Sequence, residues 1–130
     1  LKNDLLHLLD GGMATLLEDL YDRGMLDTTM LLVTGEFGRT PRINNLVGRD
    51  HWGPSSAIAM AGGGITGGTI VGASNERAER PATKPYRPAD LSATIFHSLG
   101  INPKKEFLTP EGRPIPIVPS DGEVIEELFA

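Results

Sequence analysis

The sequence predicts an α/β fold of three layers, with a mostly parallel central sheet between flanking helices. Two observations carry this. Apolar residues recur at three- and four-residue steps at the start of the chain and again near residue 90. Between and after these segments lie short continuous apolar runs bounded by glycine, proline and small polar residues. Such runs suit strands covered on both faces, and strands alternating with helices favour parallel pairing.

The first segment reads as an amphipathic helix over residues ~2–23, with Leu5, Leu9, Met13, Leu16, Leu17 and Leu20 on its apolar stripe. Gly11 and Gly12 weaken it by about 1 kcal/mol each relative to alanine, and Gly24 suits the position after its last turn. Residues 30–34, "MLLVT", read as a buried strand, "SSAIAMAGGG" as a second strand entering glycines, and "GGTIVGA" as a short strand or hairpin arm. "SNERAERPATKPY" is a polar loop. "RPADLSATIFHSLG" predicts a helix, with Pro88 in its first position, Asp90 in its first turn, Gly100 after its end, and Leu91, Ile95 and Leu99 as its buried stripe. "RPIPIVP" suits a short edge strand, because proline cannot donate to a ladder, and "GEVIEELFA" a short closing helix.

With 130 residues, 39% hydrophobic and 22% charged, the composition is that of one globular domain, residues 1–130. No apolar run approaches the roughly 20 residues of a membrane span. The net charge of −5 argues against nucleic acid as a partner. The chain has no cysteine, which removes disulfides and thiolate chemistry. It opens directly in a helical pattern, without an initiator methionine or a signal segment, and is expected to be a C-terminal fragment of a larger domain.

Chemistry-bearing residues concentrate in "TGEFGRTPRINNLVGRDHWGP", residues 34–54, just past the first predicted strand. Ligands of open α/β sheets bind beyond the carboxyl ends of strands, so this loop lies where a site is expected. Glu36, Asp50 and His51 are candidate metal ligands, because imidazole and carboxylate suit zinc, and carboxylate also suits manganese. Arg39 and Arg42 are candidate ligand-binding residues, whose planar donor forks pair with oxyanions. The alternative is a salt bridge between Glu36 and Arg39, with His51 capping a turn. Gly62, Gly64 and Gly67 match a dinucleotide fingerprint, but glycines and β-branched residues follow where a helix should start, so a tight turn is expected. His7 and His97 stand alone among apolar or small neighbours and are expected to be packing or surface histidines.

The runs "GEFGRTPRIN", "GRDHW", "AGGGITGGTIVGAS" and "PADLSATIFHSLGI" resemble the C-terminal part of a bacterial family, the domain of unknown function 1501. The resemblance extends over nearly the whole chain. It implies a place in the alkaline-phosphatase-like and sulfatase-like superfamily, with a metal site at the carboxyl edge of the sheet. By position Glu36 resembles the first member of that superfamily's metal-binding Asp-His pair, and His51 a later metal-binding histidine. Phe37 stands where the pair's own histidine would be. The resemblance thus implies a metal-dependent hydrolase of phosphate or sulfate esters that uses a divalent ion, zinc or manganese. Its nucleophile and an Asp-x-His element would lie upstream of this chain, leaving the isolated fragment inactive. The alternative is a non-catalytic relative that binds a sulfated or phosphorylated glycan or acts in cell-surface assembly. Twin-arginine export signals in the family imply an extracytoplasmic location.

Overall fold

The computed structural model describes residues 4–119 and 121–130. Among the described residues two helices, α1 (Leu5–Asp22) and α2 (Pro88–Ser98), are joined by short strands, and a 3-10 turn lies at Glu126–Leu128. The strands are β1 (Leu31–Val33), β2 (Gly38–Arg39), β3 (His51–Trp52), β4 (Ala59–Ala61), β5 (Glu106–Leu108) and β6 (Pro114–Pro116). They pair antiparallel as β1–β4, β2–β3 and β5–β6.

The expected three-layer α/β fold is therefore corrected: among the described residues there is no parallel central sheet. A parallel pair needs a crossover of a dozen or more residues, usually a helix. Between β1 and β4 the chain instead folds residues 38–52 into a ribbon of their own, and β4 returns antiparallel, with Leu32 opposite Met60. The apolar runs located β1 and β4, but each is shorter than its run and only partly buried.

"GGTIVGA" forms no strand. Gly68 and Gly72 adopt left-handed φ values of 78° and 80°, which break extended pairing, and Ile70 is left 91% exposed. The glycine run before it makes the expected turn, with a bridge between Gly62 and Ile65. Gly62 is required there twice over. Its φ is 70°, and a Cβ would sit 2.2 Å from the Thr29 carbonyl oxygen. "RPIPIVP" contributes β6, paired only with β5 among the described residues.

α2 forms as the sequence predicts, with Pro88 in its first turn and Gly100 at a φ of 71° beyond its end. The predicted buried stripe is corrected, however. Leu99 is 65% exposed and Leu91 and Ile95 are half-buried, whereas Asp90, Ala93 and Thr94 are buried. The face that packs is the one crossed by the C-terminal strap, residues 121–129. Small residues let the strap approach closely: a Cβ at Gly122 would meet the Ala89 carbonyl oxygen at 2.8 Å. Val118, Ile125 and Ala93 supply the apolar part of this core.

Polar groups align the strap. Thr94 is 0% exposed; its hydroxyl donates to the Asp90 carbonyl and accepts from the Ile125 amide at 3.0 Å. The Asp90 carboxylate accepts from the Arg87 and Glu123 amides. Arg87 also pairs with Asp121, Lys84 with Glu123, and the Tyr86 hydroxyl donates to Glu127. That last bond holds the phenol above its ordinary pKa and the Glu127 carboxyl below its own.

α1 is the long helix the leucine spacing predicts, yet only Leu20 on it is buried. Leu5, Leu6, Leu8, Leu9 and Leu16 are exposed, so much of its apolar surface is left uncovered by the described residues. None of the described helices is long and apolar enough to cross a membrane.

Candidate functional site

The predicted site folds as the β2–β3 ribbon. Arg39 faces His51 across it and Gly38 faces Trp52. Side chains alternate along a strand, so successive residues address opposite faces. This alternation divides the cluster that looked continuous in sequence.

On one face stand Phe37, Arg39 and His51. The Phe37 and His51 rings stack with centroids 3.8 Å apart and planes 26° from parallel. The Arg39 guanidinium lies 5.4 Å from the Phe37 ring centre, within cation–π range, and donates to the Arg49 carbonyl at 3.2 Å. Phe37 thus covers one face of the imidazole. Glu36 precedes this face and is exposed. Neither it nor Arg39 joins an ion pair among the described residues, so the salt bridge considered between them does not form.

On the other face, Arg42, Asn44, Asn45, Asp50, Trp52 and Glu79 line a groove of about 520 Å³. Asp50, next to His51 in sequence, is turned to this side. Its Oδ1 accepts from the Asn44 amide at 2.8 Å, and its backbone pairs with Thr40. The Asn44 side-chain oxygen accepts from the Leu46 and Gly48 amides, which closes the loop. Trp52 is half-buried, and its Nε1 donates to the Glu79 carbonyl at 2.7 Å. Glu79 was not foreseen: it lies 27 residues beyond Trp52, and nothing in the local sequence announces the contact.

A metal would draw on Glu36, His51 and Asp50. Among the described residues no three histidine, aspartate or glutamate side chains gather closely enough to hold an ion. A catalytic zinc normally takes three protein ligands. The described part of this ribbon therefore does not form a complete metal centre. His7 and His97 lie far from it in the chain, His7 on exposed α1 and His97 edge-on to Phe129 at 5.3 Å.

Val47, at the tip of the loop, has a φ of 58°, a left-handed conformation unfavourable for a β-branched residue, and its side chain is 87% exposed. Left-handed backbone costs roughly 1–2 kcal/mol for most L-residues, and asparagine tolerates it better. Val47→Asn is expected to stabilise the protein by about 1 kcal/mol, read as a higher urea midpoint; a lower midpoint would show that the valine side chain makes a contact of its own.

The class defined by this geometry is a mixed α and antiparallel β protein carrying an arginine–histidine ribbon. The family model described as a protein of unknown function (DUF1501) matches residues 2–129, and the chain belongs to that family. No curated protein and no solved structure matches it.

Proposed function

We propose that the Phe37–Arg39–His51 face binds the anionic group of a phosphate or sulfate ester, as one wall of a metal-dependent hydrolase site. The observation that carries this is the register that sets Arg39 opposite His51, with the Phe37 ring stacked on the imidazole and within cation–π range of the guanidinium. A guanidinium fork matches two oxygens of such a group, and donors aimed at developing negative charge are a main source of catalytic stabilisation. His51 on this face and Glu36, which precedes it in the chain, are the side chains that would be offered to zinc or manganese. They do not complete a centre, so no step of the reaction is assigned to a metal. The uncovered leucine surface of α1 supports reading residues 1–130 as the C-terminal portion of a larger domain. An extracytoplasmic location rests on the family resemblance.

The test is turnover of aryl phosphate and aryl sulfate by the full-length protein, with its zinc and manganese content measured alongside. Arg39→Ala is expected to lower kcat by on the order of 10²-fold, as when one charge-stabilising donor is removed. Absence of both metal and turnover would overturn the hydrolase reading.

A second reading, a non-catalytic anion binder, is favoured by one observation: Phe37 spends its ring on His51, at the position where the family resemblance implies a metal-binding histidine. Phosphate or sulfate affinity that survives both Glu36→Ala and His51→Ala would select it.

A further inference from the structure

We propose that the groove on the opposite face of the ribbon, walled by Trp52, is a binding site for a neutral sugar ring. It lies on the other side of β2–β3 from Arg39 and His51, so it does not depend on the ester reading. Its volume of about 520 Å³ falls within the roughly 300–1,000 Å³ of small-molecule sites.

The lining selects the ligand class by charge and by hydrogen-bonding type. The lining carries both signs of charge, with Asp50 and Glu79 against Arg42, and the Arg49 guanidinium donates to the Thr40 and Pro41 carbonyls on the same wall. With two acidic and two basic residues the wall favours neither a phosphate or sulfate nor a cation. What remains suited is a neutral molecule rich in groups that both donate and accept. A sugar hydroxyl does both. Arg42 offers donors only, the Asp50 carboxylate acceptors, and the Asn45 amide one of each kind. A sugar ring also carries an apolar C–H face, and Trp52 supplies the flat apolar surface for it.

The groove is organised before any ligand arrives. The indole edge is fixed by Nε1 donating to the Glu79 carbonyl at 2.7 Å. The Asp50 carboxylate is held through Oδ1 by Asn44, and Asn44 is held by the loop amides it accepts from. Oδ2 of Asp50 accepts no bond among the described residues, which leaves it for a hydroxyl. Groups already held in place lose little freedom on binding.

Trp52 is the chain's only tryptophan, so its emission reports on this groove directly. The probes are methyl glycosides of glucose, galactose, mannose and N-acetylglucosamine, titrated into the protein, with inorganic phosphate as the counter-probe. A saturable change in Trp52 emission with at least one glycoside is expected, and none with phosphate. Asn45→Ala and Arg42→Ala, both at exposed positions, should keep the wild-type melting midpoint. Each should weaken the response about tenfold, the size of one lost hydrogen bond. The proposal is overturned if no glycoside gives a saturable response, if the response is unchanged in both variants, or if phosphate competes for it.

Discussion

Asp90→Ala is expected to lower the stability of the protein by about 3 kcal/mol at neutral pH, with an unchanged denaturant slope. Asp90 is 4% exposed, and its carboxylate accepts from the amides of Arg87 and Glu123 as well as from the Arg87 guanidinium. Removing it strands donors that the strap and the helix start bury together, and an unmet buried donor costs roughly 1–3 kcal/mol. The pH dependence separates the charge from the packing. Burial pushes this carboxyl up, but the Glu123 and Arg87 amides and the Arg87 guanidinium outweigh it, and the carboxyl ends below its ordinary value of 3.8. A carboxyl whose folded pKa is depressed contributes stability that is complete above its unfolded pKa and is lost as pH falls through the folded one. The melting midpoint of the parent should therefore fall more steeply than that of Asp90→Asn between about pH 5 and pH 3. Glu127, also lowered, titrates in both proteins and cancels from the comparison. Parallel pH profiles would show that the carboxylate charge is not what ties the strap to α2.

This staple also shows where sequence reasoning stopped. Pro88, Asp90 and Gly100 announced α2 because capping is local chemistry, written in the residues that need it. Which face of α2 packs was not local. It was set by a strap some thirty residues away (Ile125 against Thr94, Glu123 against Asp90) that takes small and polar partners rather than Leu99. The same limit explains the sheet. "MLLVT" located β1, but an apolar run does not name its partner, and the antiparallel return of β4 follows from the ribbon between them.

In the candidate site the residues were legible and their sidedness was not. Asp50 and His51 looked like adjacent ligands until strand alternation set them on opposite faces. The signal was available in principle. Gly38 and Trp52 are the kinds of residue that mark close approach and a half-buried strand, and reading 38–39 and 51–52 as a ribbon would have divided the cluster.

Gly38→Ala puts that division to its strongest test, with an expected loss of about 3 kcal/mol, the upper end of overpacking costs. A Cβ at this position would lie 1.8 Å from the Ser55 carbonyl oxygen and 3.2 Å from that of Trp52. Both contacts are backbone, so no side chain can rotate away, and the ribbon itself must part. Gly38 opposite Trp52 is one of the two registered pairs that hold β2 to β3. Its separation should release Trp52 from the Glu79 carbonyl and shift its emission to the red, and it should remove Arg39 from His51 at the same time. Gly53→Ala is the matched control, one residue beyond β3, where an added Cβ meets nothing within 4 Å. A ribbon held as described must separate these two substitutions by both melting midpoint and emission. Equal behaviour would mean that Ser55 does not close over Gly38, and the two-faced site would lose its foundation.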